Sequence, residues 1–381
     1  MNIKNHLNLE YIRIMEESQR TVVTPFRFDG SGKELFGVYI VNLILTLATA
    51  GIYFFWAKTN IRRYIYQHVE FEKDRFEYHG TGLELFIGFL KLFPVLLLMF
   101  AVLPYVFFSN FSPEIAQSLY ILTLYFFLFV TYPFIAINSY RYRVSRSSWR
   151  NIRFRFTGKF GEFCRIYFLN MFLAIVTMGI YYPWYICKIK TFFWQNTKLG
   201  NESFNFDAEG DNFVGIFLST MGVGIAIYVG YLAIVMLVIV LSTLGGFNAD
   251  KNMMAIIMLI GISVSTLLFI FGYTWLWSWY AARSARFFWK HTIIQGKRFQ
   301  STLKTKPLLK ISLLSLLISI VTLGIGLPWV LVMNYRIIIS NISLNGSLDL
   351  DSIKGLSAQD SSALGDDMGS AFDVGGGLFD V

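Results

Sequence analysis

A motif of eight residues, placed at the end of a long apolar run, occurs three times in the chain. Each copy contains one glycine and ends on one tryptophan: Gly51 and Trp56, Gly179 and Trp184, and Gly324 and Trp329. Glycine can end a helix, and the proline or aromatic residue that follows it is suited to starting the next helix. The motif therefore predicts a joint between two helices inside a membrane segment, and we call it the joint motif.

The composition requires a bilayer as the solvent. Of the 381 residues, 55% are hydrophobic and 15% are charged, a balance with which a soluble protein of this size would aggregate. Four runs exceed the roughly 20 residues that one span needs. They cover 83–108, 119–139, 213–241 and 253–280. The sequence therefore predicts an all-α polytopic membrane protein with internal repeats, in which helix-break-helix segments accompany the spans.

Basic residues predict the orientation in the membrane. They crowd 141–159 and 283–310, where no acid occurs, whereas the loop inside each pair of spans is nearly uncharged. By the positive-inside rule the basic segments are cytoplasmic, and we expect both termini there as well. Two topologies are then possible for the segments with the joint motif. Each segment either enters the membrane, breaks at its glycine and returns to the same side, or it spans the membrane against the charge bias. We favour the first, which requires the joints to be covered by the spans.

The chain superposes on itself when it is shifted by 128 positions. This shift places Phe26 on Phe154, Tyr39 on Tyr167 and Asn42 on Asn170, and a shorter third copy follows at a shift of 145. A fixed register of this kind indicates internal repeats. The predicted divisions are a cytoplasmic tail 1–25, repeats 26–139 and 140–280, a partial repeat 281–350, broken segments 35–68, 163–196 and 308–340, and an acidic disordered tail 351–381.

Short strands are predicted between the helical segments. The turn sequences Gly200-Asn201, Gln295-Gly296 and Asn345-Gly346 lie between apolar alternations and predict β-hairpins. A phenylalanine followed two residues later by another aromatic residue occurs at Phe26, Phe76, Phe154 and Phe204. We expect these strands to gather into one small cytoplasmic sheet beneath the membrane.

Polar residues inside the apolar segments are the candidate site residues. Asn42 and Asn170 occupy equivalent places in two copies, with Ser315 in the third, and the joint glycines and tryptophans belong to the same candidate set. In lipid such groups must face a polar partner or a water-filled cavity. Two interpretations stay open: hydrogen bonds that hold helices together, or a translocation path or ligand site.

Basic and aromatic residues follow each joint. We expect the cations to meet anionic lipid head groups while the rings lie at the interface. The candidate contacts are Arg62, Arg63, Lys188, Lys190, Arg286 and Lys290. Anionic lipid is favoured over nucleic acid because no soluble domain presents these charges. The sequence is compatible with an oligomer and indicates no particular protein partner.

Catalytic and metal-binding patterns are missing from the sequence. No nucleophile motif, phosphate loop, dinucleotide fingerprint or paired histidine spacing occurs, so we expect neither an enzyme nor a cofactor nor a metal. Two functions stay open. One is a transporter or channel for a small solute or lipid, as in transporters with broken helices. The other is a non-catalytic scaffold that binds lipid or an envelope partner.

Three recurring motifs carry a resemblance to a known family. The joint, a helix end of the form (Phe/Tyr)-x-Trp-x-(Asn/His)-Thr and the strand Phe-Arg-Phe-x-Gly resemble the YjgN-like family of bacterial inner-membrane proteins, whose function is unknown. The resemblance covers about residues 26–350 and implies an inner-membrane location with several spans. It brings no catalytic residues. The third copy departs from the pattern, with Gly326 and Leu327 in place of aromatic residues.

Overall fold

A computed structural model describes residues 23–244, 251–350 and 352–353. In this part of the chain, ten helices form five consecutive pairs. They are α1 (Gly32–Ala48) and α2 (Phe54–Gln67), α3 (Gly82–Asn110) and α4 (Pro113–Ser145), α5 (Phe160–Val176) and α6 (Tyr182–Gln195), α7 (Gly210–Leu244) and α8 (Lys251–Lys290), and α9 (Thr305–Val321) and α10 (Leu327–Ile339). Two pairs are long, and the three pairs that contain the joint motif are short.

Eleven short strands connect the helix pairs and form one antiparallel sheet. They are β1 (Val23–Pro25), β2 (Arg27–Phe28), β3 (Val69–Phe71), β4 (Asp74–Tyr78), β5 (Ser147–Trp149), β6 (Ile152–Phe156), β7 (Thr197–Leu199), β8 (Glu202–Phe206), β9 (Thr292–Ile294), β10 (Lys297–Ser301) and β11 (Ile342–Asn345). The sheet runs in the order β1, β11, β10 and so on down to β3 and β2. Its two edge strands are therefore consecutive in sequence.

This order closes the sheet on itself. Only Phe26 separates β1 from β2, and its backbone N–H donates a hydrogen bond to the carbonyl of Ile342, at 3.0 Å. On one side β1 pairs with β11, with Val23 opposite Asn345, and on the other side β2 pairs with β3. We call the closed sheet the barrel. Closure leaves no long exposed edge that could pair with another chain.

Aromatic side chains fill the barrel. Five buried phenylalanines contact one another in a closed ring, with centroid distances between 6.2 and 6.4 Å. They are Phe26, Phe76, Phe154, Phe204 and Phe299. The residues paired with them across the strands, such as Trp149, Leu199, Ile294 and Leu344, are buried as well. Side chains that fill a small barrel make it a packed core rather than a pore.

Both ends of each helix pair lie at the barrel. Where the strand before a pair ends, the next backbone N–H donates to a carbonyl one or two residues after the end of the second helix. The five bonds are Asp29 to His68, His79 to Arg146, Thr157 to Asn196, Asp207 to His291 and Thr302 to Asn341, with lengths of 2.8 to 3.2 Å. Each pair thus leaves the barrel and returns to it as a helical hairpin.

The three joints have the same backbone geometry. The joint glycines have φ values of +92°, +89° and +88°, and the residue before each, Ala50, Met178 or Leu323, is also left-handed, with φ near +50°. In each joint the threonine hydroxyl accepts a hydrogen bond from the backbone N–H four residues later, at 2.8 to 3.0 Å. The aromatic residues missing from the third copy are therefore not needed to form the joint.

Four helices are long and apolar enough to cross a membrane: Gly82–Asn110, Pro113–Ser145, Gly210–Thr243 and Ala255–Lys290. They correspond to the four spans predicted from the sequence. Consecutive helices contact one another along the chain, and α10 also contacts α1, so the ten helices form a closed ring above the barrel.

Two details differ from the sequence predictions. The term all-α is too narrow, because the strands gather into one sheet, as expected, and this sheet has eleven strands and closes into a barrel. Asn345-Gly346 does not connect a hairpin, because β11 pairs with β10 and with the distant β1. A turn sequence predicts pairing only between its neighbouring segments, whereas one partner of β11 is β1, at the other end of the chain. Most of the predicted tails, 1–22 and 354–381, lies outside the described residues.

Candidate functional site

The joint tryptophans dock each short helix pair onto the next pair. Trp56 packs against Gly82 at the start of α3, Trp184 against Gly210 at the start of α7, and Trp329 against Gly32 at the start of α1. A Cβ atom on any of these glycines would overlap the indole ring. Close approach of this kind requires glycine. These three candidate residues therefore have a packing role in the structure.

Two of the candidate lipid contacts, Arg63 and Arg286, donate hydrogen bonds to backbone carbonyls. Arg63 donates from Nη2 to the carbonyl of Gly80 at 3.3 Å, and Arg286 donates from Nη1 to the carbonyl of Leu303 at 2.9 Å. Arg141 and Arg336 bind the carbonyls of Gly158 and Gly30 in the same way. Each arginine lies on the second helix of a pair and binds the short segment that leads from the barrel into the neighbouring pair. Arg63 and Arg286 therefore stabilise the junction between helices and barrel.

Asn170 and Lys188, which the sequence singled out separately, come together in the structure. The ammonium of Lys188 donates to Oδ1 of Asn170 at 3.0 Å and to the hydroxyl of Tyr181 at 2.9 Å. Tyr181 in turn donates to Asn170 Oδ1 at 3.1 Å. These bonds tie α5 to α6 near their joint, in agreement with the interpretation of Asn170 as a link between helices. Sequence reasoning missed Tyr181.

Asn42 lies in a different environment, although it is equivalent to Asn170 by sequence. Its Oδ1 accepts a hydrogen bond from Asn60 Nδ2 at 3.0 Å, while its Nδ2 has no hydrogen-bond partner within the described residues. The side chain is only 3% exposed. A buried amide donor without a partner is costly, so this position suits a ligand that offers a hydrogen-bond acceptor.

The amide of Asn42 faces a cavity of about 400 Å³, which we call the first cavity. Its walls are Tyr39, Leu43, Thr46 and Phe54 with Leu331 and Tyr335 of α10, and its floor is formed by Ile65 and Tyr66, which belong to the barrel core. Lys58 and Arg62 of α2 also line it. Among the described residues that line this cavity, none is acidic. An apolar chamber with two cations and an amide donor can bind an anionic group attached to an apolar body.

The electrostatics of the first cavity favour an anion. Burial, with Arg62 and Arg143 nearby, lowers the pKa of Lys58 to about 7. Burial makes the charged form of the Lys58 ammonium costly, and a bound anion would offset part of that cost. Strongly perturbed residues in a cavity are typical of functional sites. The sequence indicated Lys58 only as one of the basic residues that follow the first joint, because its burial depends on the packing of α2 against α1.

A second cavity of about 670 Å³ lies between α4, α5 and α6. It is lined by tyrosines, by apolar residues including Met178, and by Lys190, whose ammonium lies 4.1 Å from the centre of the Phe288 ring. The joint glycine Gly179 is also part of its wall. Lys190 therefore lines this cavity and is half-buried.

The remaining candidates lie apart from both cavities. The hydroxyl of Ser315 is buried and has no hydrogen-bond partner within the described residues, and Lys290 is exposed at the end of α8. Gly51 and Gly324 serve the joints. Within the described chain, no group of three or more His, Cys, Asp or Glu side chains is arranged to hold a metal ion.

Comparison with known proteins identifies the family. Residues 23–371 match the family described as "Bacterial protein of unknown function (DUF898)". The chain belongs to this family. Inner membrane protein YjgN of Escherichia coli strain K12 is 31% identical over 154 residues, which is 40% of this chain and 36% of the relative. The protein of the same name from Salmonella typhimurium LT2 is 30% identical over 129 residues, which is 34% of this chain and 30% of the relative.

The matched stretch thus spans about a third of the length of these curated relatives. No solved structure matches the chain. The resemblance to YjgN-like proteins is confirmed, and the relatives are named as inner-membrane proteins. With its four candidate spans, this member of the family is a membrane protein whose function the family does not define.

Proposed function

We propose that this protein binds a lipid with an anionic head group in the first cavity and transfers it between lipid environments. The observation that carries the proposal is the unpartnered, buried amide of Asn42 beside Lys58 and Arg62 in an apolar chamber. Head-group phosphate is an acceptor for all three side chains, and acyl chains match the apolar walls. A small inorganic anion would leave these walls in contact with water.

A filled barrel supports lateral transfer rather than conduction along the barrel axis. The ring of five phenylalanines and its paired residues leave a packed core beneath the helices. A lipid that reaches the first cavity would therefore enter and leave through the helix ring. At the joints, the short helix pairs are not anchored to the barrel. This freedom would allow neighbouring pairs to separate and the ring to open.

We place the barrel in the cytoplasm and the short pairs in the membrane as re-entrant hairpins. Basic segments flank the barrel strands, and both described ends of the chain lie in the barrel, as the pairing of Val23 with Asn345 shows. A helix of 17 residues, such as α5, reaches about 26 Å at 1.5 Å per residue, which is short of the roughly 30 Å hydrocarbon core. At the tips of two joints, Met178 is 94% and Leu323 is 91% exposed, which suits contact with lipid.

We further propose that the five helix pairs are copies of one unit. The five equivalent backbone bonds, the phenylalanine ring and the recurring arginine contacts support this proposal. Repetition explains why the same polar positions recur around the ring. It also allows copies to diverge, so that Asn42 and Asn170 have different partners.

The test measures binding and transfer separately in reconstituted vesicles. Native mass spectrometry compares retention of phosphatidylglycerol by wild type and by the double variant Asn42→Leu/Lys58→Met, and a head-group accessibility assay measures transfer between leaflets. Lys159→Met is the matched control, because Lys159 is exposed and lies outside both cavities. We expect the double variant to retain less phosphatidylglycerol than wild type and to lose transfer, and the control to match wild type in both.

Two results would contradict the proposal in different ways. Equal retention by the double variant and wild type would overturn the assignment of the first cavity. Retention without transfer, for each lipid tested, would favour the scaffold alternative, in which the protein holds lipid at the membrane but does not move it. Far-ultraviolet circular dichroism of each variant checks that the helices are intact.

A further inference from the structure

The second cavity contains a cluster of tyrosine hydroxyls that the proposed function does not use. Tyr132 of α4, Tyr167 of α5 and Tyr182 and Tyr185 of α6 line it together. The rings of Tyr132 and Tyr167 stack with a centroid distance of 5.4 Å, and Tyr185 meets Tyr167 edge to face at 6.2 Å. Four phenol groups from three helices therefore converge on one space.

Within the described residues none of these hydroxyls makes a hydrogen bond to the protein, and Tyr132 and Tyr182 are 52% and 37% exposed, so a ligand can reach them. Their neighbours in the cavity wall are apolar, including Met171, Ala174 and Ile175. A hydroxyl without a partner in an apolar environment is costly, and within a membrane no bulk water offsets that cost. A ligand that offers several hydrogen-bonding groups would satisfy the cluster.

Lys190 adds a positive charge to the same cavity. Its ammonium lies over the Phe288 ring, and within the described residues it makes neither a hydrogen bond nor an ion pair. Burial lowers its pKa to about 8, so it is mostly protonated at neutral pH. A cation that contacts only an aromatic face still has its N–H donors available for an anionic ligand.

The position of Lys190 suits a lipid that lies parallel to the helices. Lys190 is near the barrel end of α6, whereas Met178 and Gly179 form the opposite end of the cavity at the joint. The tyrosines lie between these two ends. The cavity therefore offers a cation at its barrel end, a row of hydroxyls beside it and apolar residues beyond.

We propose that the second cavity is a separate binding site for an anionic lipid whose head group carries hydroxyls, with Lys190 binding the phosphate and the tyrosine cluster binding the hydroxyls. The inference depends on the proposed function only in taking a lipid as the ligand. Unlike the first cavity, the second cavity should distinguish between anionic lipids by the hydroxyls of their head groups. Lys58 has no counterpart here, since Ile186 occupies the equivalent place, so hydroxyls rather than a second cation distinguish the ligand.

The test compares two anionic lipids that differ in head-group hydroxyls. Phosphatidylglycerol carries a glycerol beyond its phosphate, and phosphatidic acid carries none. The purified full chain is incubated with equal amounts of both in mixed micelles, and native mass spectrometry measures the ratio retained. To isolate the second cavity, every measurement uses the Asn42→Leu/Lys58→Met background as well as wild type.

The informative variant is Tyr132→Phe/Tyr185→Phe, which removes two hydroxyls and keeps both rings. One hydrogen bond of ordinary strength corresponds to about a fivefold change in affinity, so the double variant should lower the retention of phosphatidylglycerol about twentyfold. Phosphatidic acid should be retained unchanged. Tyr228→Phe is the control, because Tyr228 is 54% exposed on α7, outside the cavity, and should have no effect.

A third variant, Lys190→Met, should lower retention of both lipids equally, because both carry the phosphate. An unchanged lipid ratio in Tyr132→Phe/Tyr185→Phe would overturn the second site. Tyr132→Phe/Tyr185→Phe could retain as much phosphatidylglycerol as its parent while Asn42→Leu/Lys58→Met retains less than wild type. That result would reject the second site and leave the proposed function of the first cavity intact. The reverse pattern would retain the second site and reject the first.

Discussion

Replacement of the joint glycine Gly179 with alanine tests whether the joint is a conformational requirement. Gly179 has φ of +89°, and a Cβ atom placed on it would meet no heavy atom within 4 Å. The substitution therefore introduces no packing clash, and its whole cost is backbone strain. A left-handed conformation costs an L-residue about 1 to 2 kcal/mol relative to glycine.

Gly161 provides a matched control in the same helix pair. It lies in the first turn of α5, where a Cβ atom would also meet nothing within 4 Å, and its backbone is helical. Alanine favours a helix over glycine by about 0.5 to 1 kcal/mol, so Gly161→Ala should stabilise the protein slightly. The two variants should therefore differ in unfolding free energy by about 1.5 to 3 kcal/mol.

The measurement is equilibrium unfolding of both variants in mixed micelles, with increasing fractions of sodium dodecyl sulfate and detection by helical circular dichroism. The midpoint should fall for Gly179→Ala and rise slightly for Gly161→Ala. If both variants unfold at the same midpoint, the joint tolerates a Cβ atom. The explanation of the three joint motifs by positive φ would then be refuted.

Three further predictions concern the junctions and the first cavity. Gly210→Ala should destabilise the protein by about 1 to 3 kcal/mol, because its Cβ would lie 2.7 Å from the backbone of the joint tryptophan Trp184. In the control Gly215→Ala the Cβ meets no neighbour, so the unfolding midpoint should fall only for Gly210→Ala. Arg286→Gln should cost about 1.5 to 3 kcal/mol through its lost bond to a backbone carbonyl, which the same titration would detect. Retention of phosphatidylglycerol should fall as the pH rises through about 7, because Lys58 then loses its proton, and Lys58→Arg should remove this pH dependence up to pH 9. A wild-type profile that is flat between pH 6 and 8 would contradict the role of Lys58.

Local features of the sequence predicted much of the helical architecture. The four spans follow from the length and apolarity of their runs, which the hydrocarbon thickness fixes. The joints follow from a glycine that can adopt positive φ at the end of an apolar run, and Gly51, Gly179 and Gly324 adopt it. The strand pattern at Phe26 and Phe154 was predicted in the same way, because alternation places both rings on the inner face of a sheet.

The candidate site was predicted only in part. Asn42 was found because a polar residue in an apolar helix is conspicuous, but its difference from Asn170 depends on the residues opposite them, Asn60 in one pair and Lys188 with Tyr181 in the other. Residue type alone cannot give that difference. Three of the four tyrosines of the second cavity lie on one helix pair, and packing of α4 against α5 brings Tyr132 to them.

The sequence by itself determined the class of this protein, its spans and its joints, because hydrophobic length, glycine conformation and strand alternation are properties of consecutive residues. Only the tertiary structure decided that the strands close into a barrel, that the short pairs return to it, and that two cavities form between neighbouring pairs. These features depend on contacts between distant residues, such as Val23 with Asn345. Such contacts are set by how whole elements pack, and no local pattern records them.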